Sequence, residues 1–381
     1  MARTQRIWFI QLLRGVAAIL VVFFHYFTFF WEHNSFVAET FHFPAINNFL
    51  PFVPVFFSTT TTGFTLNLGT FAIALFFLIS GFVIPLALEK LNGRDFLINR
   101  IFRIYPVYLA ELVIAVVLLF SASKIFGSSF PFSPKVVLAN TLLFQDLFHF
   151  QTINTTVWTL QIELKFYIIC ALAYTFSSFK NRYLLILISF ILLFLLWSTP
   201  HVSGCSEGGI NPCNLISSVG YQAPFLIFML IGSGVYNLFR KYWSWNEFII
   251  MTLIQTLLFC IATYLLSGSD TILTNLLPFA LAEISFFVLF KQSKKIKYSA
   301  PLNFMAEISY PLYLVHTTTG YLIITLVYLR FQSPLLSILI ALTSCIALAY
   351  VLHILIEIPG QKLGKSLISR LRVQLPKAAR N

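Results

Sequence analysis

The sequence predicts an all-α integral membrane protein, a polytopic helix bundle with about ten transmembrane helices and both termini in the cytoplasm. Of its 381 residues, 58% are hydrophobic and only 10% are charged, whereas soluble domains carry about 25% charged residues. Apolar runs of about 20 residues, enough to cross the hydrocarbon core, recur along nearly the whole chain. Basic residues collect in alternate connections between these runs. No separate soluble catalytic domain fits into the remainder.

Ten apolar runs are interpreted as transmembrane helices. They cover residues 8–30, 69–88, 105–123, 157–176, 183–198, 221–238, 248–267, 272–290, 304–328 and 334–356. The run Phe49–Phe57 is also apolar, but its prolines and its short length predict a re-entrant or surface segment. The resulting division is a transmembrane domain, 1–358, and a basic cytoplasmic tail, 359–381.

The basic residues give the predicted orientation. With both termini cytoplasmic, 20 of the 25 lysines and arginines fall in the inner segments. Lys124, Lys135 and Arg330 fall outside, and Arg14 and Lys165 lie within predicted spans. Topology and attraction to anionic lipid therefore account for the net charge of +12, which needs no nucleic-acid partner.

The five cysteines predict packing residues and one candidate disulfide. Cys170, Cys260 and Cys345 lie in predicted spans, where cysteine behaves as a small hydrophobic residue. Cys205 and Cys213 flank a loop predicted to face outside, where a disulfide can form. The sequence contains no CxxC, HExxH or glycine-rich phosphate motif, so no metal is predicted.

Arg14 and His25 are the only ionisable side chains between Trp8 and Phe30. Eleven helical steps of about 100° place them on one face, about 16 Å apart along the axis. A charge inside the bilayer costs at least roughly 2.5 to 3.5 kcal/mol on insertion scales, so the pair calls for a partner, a cavity or a reaction. A guanidinium binds phosphate or carbonyl oxygens, and an imidazole accepts a proton from a hydroxyl. The alternative is a snorkelling arginine and a histidine satisfied by a neighbouring helix.

A basic group precedes the third predicted span. Arg100 and Arg103 are three residues apart and therefore share a helix face. Together with Lys90 and Arg94 they form a cationic collar suited to a polyphosphate ligand. The alternative is ordinary positive-inside anchoring.

An acidic residue, Glu163, lies five or six residues inside the fourth predicted span. A carboxylate at this depth has either a cationic partner or a shifted pKa, and Arg14 or His25 is the natural candidate for the partner. Lys165 cannot pair with it directly, because positions i and i+2 of a helix point apart. Ser80 and Gly81 in the second span favour close helix packing. Four further ionisable residues in or near spans can be functional or structural; they are His316, Glu283, Glu307 and Glu357.

Six segments taken in order resemble the membrane acyltransferase-3 family of bacterial O-acyltransferases. They are RGVAAILVVFFH, FFLISGFVI, RIFRIYPVY, WTLQIELKFY, ISYPLYLVH and LIEIPG. Each segment alone is a loose pattern, but together they extend from Arg14 to Gly360 and cover nearly the whole chain. One position departs from the family pattern: relatives often carry an acid just before the first arginine motif, where this chain has Gln11.

The resemblance implies an enzyme of the bacterial cytoplasmic (inner) membrane. Such enzymes take an acyl group, usually acetyl, from cytoplasmic acyl-CoA and transfer it to a sugar hydroxyl. The expected acceptors are surface polysaccharides, such as lipopolysaccharide O-antigen, or their lipid-linked precursors. By the family pattern Arg14 and His25 match the essential pair, Arg100 and Arg103 match the basic motif, and Glu163 matches the acid of W-x-L-x-x-E-x-x-F-Y.

The residues and the resemblance lead to one hypothesis. The phosphates of acetyl-CoA rest on the collar, the pantetheine arm passes Arg14, and the thioester reaches His25. His25 acts as general base or carries the acyl group transiently, Glu163 orients the imidazole, and Arg14 holds the thioester region or the developing negative charge. The alternatives are a transporter that uses the same polar track and a scaffold that binds a lipid-linked sugar.

Overall fold

The computed structural model describes residues 7–46, 67–176, 180–201, 205–208, 211–268 and 272–374. All regular structure in these ranges is helical, which confirms the all-α prediction. The predicted re-entrant or surface segment Phe49–Phe57 lies outside the described residues, as do Arg3 and Arg6, on which part of the orientation argument depends.

The described residues form seventeen α-helices, numbered here in chain order. They are α1 (Trp8–Phe24), α2 (Phe30–Glu32), α3 (Asn34–Phe41), α4 (Leu68–Leu88), α5 (Gly93–Phe126), α6 (Pro134–Thr141), α7 (Trp158–Phe176), α8 (Arg182–Ser198), α9 (Pro212–Gly220), α10 (Ala223–Phe239), α11 (Trp245–Ser267), α12 (Ile272–Lys291), α13 (Ala300–Glu307), α14 (Ser309–Val315), α15 (Thr318–Phe331), α16 (Pro334–Leu352) and α17 (Ile358–Gln374). Two π-helical turns, His25–Phe29 and His353–Glu357, join α1 to α2 and α16 to α17.

Six continuous helical stretches in the described ranges are long and apolar enough to cross a membrane. They are Trp8–Glu32, Leu68–Leu88, Gly93–Phe126, Arg182–His201, Trp245–Ser267 and Pro334–Val373. The bent pairs α9–α10 and α14–α15 raise the number to eight if each pair is one span. The runs 157–176 and 272–290 are helical as α7 and α12 but do not meet the same test. The described structure thus has six to eight candidate spans, and ten spans with cytoplasmic termini stay a prediction.

Helix α5 is longer than the predicted run 105–123. Its 34 residues extend about 51 Å, whereas the hydrocarbon core is about 30 Å thick. The helix begins at Gly93, where the side chain of Asn92 accepts a hydrogen bond from the backbone of Asp95. The basic segment before the apolar run is therefore the first part of this same helix, and it places Arg100 and Arg103 at one end of the bundle.

Close packing of α4 against α10 depends on glycine. A Cβ at Gly81 would overlap the carbonyl oxygen of Met229, and a Cβ at Gly232 would overlap that of Leu78. The prediction that Gly81 allows close helix packing is confirmed. Its neighbour Ser80 has a different role, because its hydroxyl donates a hydrogen bond to Glu163 at 3.0 Å.

The predicted continuous span 304–328 is wrong in detail, because α14 and α15 meet at a bend of 54° beside His316 and Thr317. Backbone groups freed by such a break must find partners inside the protein. The amide of Asn154 donates to the Leu314 carbonyl oxygen at 2.7 Å, and the Tyr26 hydroxyl donates to that of His316 at 2.8 Å. The break is thus a fixed structural feature that holds His316 in place.

The predicted tail begins within a continuous helix. Helix α17 follows α16 through the π-helical turn without a break, so the proposed boundary at 358 falls inside Pro334–Val373. Helix α17 packs along α5, where a Cβ at Gly364 would overlap Phe102. The guanidinium of Arg372 donates to the buried carboxylate of Asp95 at 2.6 Å.

The cysteines follow the sequence expectation. Cys205 and Cys213 form a disulfide with their Cα atoms 5.1 Å apart. Cys170 and Cys345 are buried free thiols, and Cys260 is a partly buried one.

Candidate active site

Three arginines line one cavity between α1, α4, α5, α7 and α14. This arginine cavity has a volume of about 300 Å³, and its charged lining residues are Arg14, Arg100, Arg103 and Glu163. One carboxylate against three guanidinium groups leaves a formal charge of +2. An excess of positive charge in an enclosed site favours an anionic ligand, because unpaired buried charge is costly. The rest of the lining is largely aliphatic and aromatic.

Arg14 is held at the α13–α14 junction. Its guanidinium donates to the Ser309 hydroxyl at 2.8 Å, and that hydroxyl donates to the Ala306 carbonyl oxygen at 2.8 Å. Arg103 and Glu163 lie within electrostatic range of Arg14. A guanidinium has five donors in a fixed fork, so this single bond leaves donors for a ligand in the cavity.

Arg100 is almost fully buried, with 7% of its surface exposed. Its guanidinium carbon lies 5.1 Å from the centre of the Phe96 ring and 5.3 Å from that of the Tyr167 ring, within cation–π range. Its buried Nε has no hydrogen-bond partner among the described residues. A buried, unsatisfied guanidinium nitrogen at a cavity wall is suited to a phosphate oxygen.

Glu163 lies in the arginine cavity, away from His25. Its Oε1 accepts hydrogen bonds from the Ser80 hydroxyl at 3.0 Å and from the Tyr167 hydroxyl at 2.5 Å. No hydrogen bond joins it to His25 in the part of the chain that the structure describes. The expectation that Glu163 orients the imidazole therefore does not match the geometry, because α7 directs this carboxylate toward the arginines.

A second cavity, of about 460 Å³, contains His25. This histidine cavity is also lined by Phe29, Glu32, His33 and Trp158. Its remaining lining residues are Phe24, Phe36, Asn67, Leu68, Gly69, Thr70, Ile73, Thr155, Thr156 and Tyr313. Aromatic faces beside a few polar groups make it an amphipathic site.

The two cavities adjoin, because Ile73 and Tyr313 line both. The Tyr313 hydroxyl donates to the Thr156 carbonyl oxygen at 3.1 Å and lies 2.7 Å from Thr159 Oγ1. This aromatic side chain is therefore held in place between the cavities. The polar track predicted along α1 corresponds to two adjoining cavities, with Arg14 in one and His25 in the other.

His25 begins the π-helical turn His25–Phe29. Such turns are rare, and they are frequently found at functional sites. The imidazole Nδ1 lies 2.8 Å from the Val21 carbonyl oxygen and 3.2 Å from Nε2 of His316. The partner of the imidazole is thus a second histidine instead of an acid or an arginine.

Comparison with known families agrees with this geometry. The family model described as an acyltransferase domain, that of the acyltransferase-3 family, matches residues 7–354. The chain belongs to the acyltransferase-3 family. Searches of curated proteins and of solved structures gave no match. With its long apolar helices, the chain is a multi-pass membrane acyltransferase.

In this acyltransferase the predicted cationic collar divides into two parts. Arg100 and Arg103 line the arginine cavity, whereas Lys90 and Arg94 are exposed and do not. Arg94 instead lies 3.4 Å from the carboxylate of Asp95. Lys90 precedes α5 and Arg94 lies in its first turn, whereas the cavity-lining Arg100 and Arg103 lie roughly two turns further along the helix.

The sequence did not show whether His316 is functional or structural, and it did not single out Tyr313 or Ile73. A signal was present in ISYPLYLVH, because Tyr313 and His316 are three residues apart and share a helix face. Tyr313 lines both cavities, whereas His316 is buried at the bend after α14 and contacts His25 there. No period in the sequence indicates that bend.

Proposed function

We propose that this membrane acyltransferase transfers an acyl group, acetyl in the usual case, from acyl-CoA to a sugar hydroxyl. The acceptor is a cell-surface polysaccharide or its lipid-linked precursor, such as lipopolysaccharide O-antigen, and the site of action is the bacterial cytoplasmic membrane. One observation carries the proposal: a cavity with three arginines adjoins a cavity with a histidine, and two side chains line both.

The arginine cavity suits the phosphate end of coenzyme A. Arg100 and Arg103 lie three residues apart on α5, and guanidinium groups bind phosphate oxygens in a fork. The formal charge of +2 left by Glu163 is balanced when a polyphosphate binds. Apolar and aromatic lining residues accommodate the slender pantetheine arm.

The distance between the compartments assigns Arg14 to binding. Arg14 and His25 are separated by about 16 Å along the helix axis, whereas a donor to an oxyanion must lie about 3 Å from it. Arg14 therefore contacts the phosphates or a pantetheine amide. It is too far from the reacting carbon to stabilise the charge that develops there. The arm passes Ile73 and Tyr313 to present the thioester at His25.

His25 removes the proton from the acceptor hydroxyl. As that proton passes to the imidazole, the hydroxyl oxygen bonds to the thioester carbonyl carbon. The carbon–sulfur bond then breaks, the ester forms, and the departing thiolate takes the proton from the imidazolium as free coenzyme A. In the alternative route His25 carries the acyl group first, which labelled protein in the absence of acceptor would reveal.

The histidine cavity suits a sugar acceptor. Trp158 and Phe29 offer flat apolar faces, and Glu32 and His33 offer hydrogen-bonding groups. Sugars have hydroxyl edges and apolar faces, so a mixed lining of this kind matches their chemistry.

One structural feature favours a transporter as a second candidate. The bent pairs α9–α10 and α14–α15 resemble the broken helices on which transporters build their binding sites. A transporter would move substrate across the bilayer without a covalent change.

One experiment distinguishes these functions. Purified protein in vesicles is incubated with acetyl-CoA labelled in the acetyl group and with surface polysaccharide. We expect label in an alkali-labile ester on the polysaccharide, and no label with His25→Ala. Movement of labelled substrate across the vesicle membrane without ester formation would support the transporter. Equal transfer of label by His25→Ala and by the wild-type protein would overturn the proposed mechanism.

A further inference from the structure

His316 is the histidine that contacts His25, and it is fully buried, with 0% of its surface exposed. Its Nδ1 lies 2.8 Å from the Tyr313 carbonyl oxygen and 3.2 Å from that of Leu312. Because carbonyl oxygens only accept hydrogen bonds, Nδ1 carries a hydrogen. In the neutral ring Nε2 then carries a lone pair and is an acceptor.

This acceptor determines which nitrogen of the His25 ring carries the hydrogen. Nδ1 of His25 faces the Val21 carbonyl oxygen at 2.8 Å and the His316 Nε2 lone pair at 3.2 Å. Both neighbours are acceptors, so Nδ1 of His25 carries the hydrogen and shares it between them. The lone pair of His25 then lies on Nε2, the atom that a general base must present to its substrate.

The surroundings leave that lone pair available. No described residue forms a hydrogen bond with Nε2 of His25, and His25 lines the histidine cavity. The aromatic rings around the imidazole restrict its rotation: the ring centres of Phe29 and Phe24 both lie 5.5 Å from that of His25.

The bend between α14 and α15 fixes His316 in turn. Asn154 binds the Leu314 carbonyl oxygen at 2.7 Å and accepts a hydrogen bond from the Thr317 hydroxyl at 3.1 Å. The hydroxyl of Tyr26, the residue after His25, binds the His316 carbonyl oxygen at 2.8 Å. Both histidines are therefore held at the bend between α14 and α15.

We propose that His316 is a positioning residue for His25. Its Nε2 accepts a hydrogen bond from His25 Nδ1, keeps Nε2 of His25 directed into the cavity, and stabilises the imidazolium that forms when His25 takes a proton. A neutral imidazole here does what a carboxylate does in a serine hydrolase triad. This inference rests on the proposed function.

Replacement by leucine and by glutamine tests the inference. Leucine keeps a side chain of similar size but offers no hydrogen-bond acceptor. The amide oxygen of glutamine reaches about as far as Nε2 of the histidine ring. We expect His316→Leu to lower kcat by about 10- to 100-fold, because His25 loses the hydrogen-bond acceptor that orients its imidazole. KM for acetyl-CoA should change by less than about twofold. His316→Gln should recover at least about tenfold over His316→Leu, because an acceptor for His25 Nδ1 is restored.

A matched control separates this role from packing. Thr325→Val removes a buried hydrogen bond within α15, from the Thr325 hydroxyl to the Tyr321 carbonyl oxygen at 2.8 Å, and leaves both imidazoles and their partners, so we expect its kcat to stay within about threefold of the wild-type value. Equal activity of His316→Leu and His316→Gln, or wild-type activity of His316→Leu, would overturn the inference. If the wild-type protein transfers no acyl group, the proposed function fails instead.

A third variant keeps the test decisive if the leucine protein does not accumulate. The asparagine amide ends near the Nδ1 position and does not reach His25, whereas the glutamine amide does. We expect His316→Gln to be at least about tenfold more active than His316→Asn. Equal kcat values for these two polar variants would contradict the positioning role.

Discussion

The arginine cavity and the histidine cavity differ in what holds their charged groups. In the arginine cavity, Arg14 and Arg100 are fixed by a hydroxyl and by aromatic rings, and together with Arg103 they exceed the single acid in number. In the histidine cavity, the imidazole is held by a backbone carbonyl and a neutral histidine, and its Nε2 has no described partner. The first arrangement binds anions, and the second leaves one lone pair free for chemistry.

The difference predicts separable effects of mutation. Changes in the arginine cavity should act on KM for acyl-CoA, because its charges contact the ligand in ground and transition states alike. Changes in the histidine cavity should act on kcat, because proton transfer occurs only in the reaction.

The largest expected effect is the loss of His25. We expect His25→Ala to lower kcat for acetyl transfer by at least about 1,000-fold, because the change removes the proposed general base. Binding of coenzyme A, measured by calorimetry, should change by less than about threefold. A large loss of binding would show that the two cavities do not act separately.

The next effect should appear in the arginine cavity. We expect Arg100→Gln and Arg103→Gln each to raise KM for acetyl-CoA by about 10- to 100-fold, the value of a charge-assisted hydrogen bond, with little change in kcat. Arg94→Gln is the matched control, because Arg94 is exposed and does not line the cavity. An equal rise in KM for Arg94→Gln would support the whole predicted collar as the binding site.

The connection between the cavities can be narrowed at Ile73. We expect Ile73→Phe to lower kcat by about tenfold while the affinity for coenzyme A is unchanged, because the thioester then reaches His25 in fewer bound complexes. Ile101, exposed on α5, serves as control, and Ile101→Phe should have wild-type kinetics. Unchanged transfer by Ile73→Phe would place the path of the pantetheine arm elsewhere.

A smaller effect is expected for Glu163. Because its carboxylate bonds to Ser80 and Tyr167 and does not contact His25, we expect Glu163→Gln to lower kcat by only about threefold. KM for acetyl-CoA should not rise, since the change removes the one negative charge of the arginine cavity. A loss of kcat as large as that of His25→Ala would restore the hypothesis that Glu163 orients the imidazole.

Helical periodicity predicted much of this site because it depends on local geometry. The shared face of Arg14 and His25, and that of Arg100 and Arg103, follow from spacing along one helix. The partner of His25 could not be predicted in the same way. The contact with His316 joins residues 291 positions apart and requires the bend after α14, which polar groups from other helices stabilise.

The smallest effect concerns Glu89, which follows the end of α4, the helix that lines both cavities. Partial burial raises the pKa of this carboxyl, but hydrogen bonds from Arg240, Tyr236 and Tyr242 outweigh it and leave the pKa below its usual value. A lowered pKa stabilises the fold at pH values above the unfolded value of about 4.3, and this contribution is lost as the pH falls through the folded value.

Thermal unfolding at several pH values tests this anchor. We expect Glu89→Gln to lower Tm by about 1 to 2 °C at pH 7, because the Glu89–Arg240 pair is only partly buried and is screened by solvent, and the difference from wild type should disappear near pH 3. Since α4 contributes to both cavities, kcat and KM should change together and by less than about twofold. A change in KM alone would mean that the hydrogen bonds of Glu89 support only the arginine cavity. Helix α4 would then affect the arginine cavity without affecting the histidine cavity.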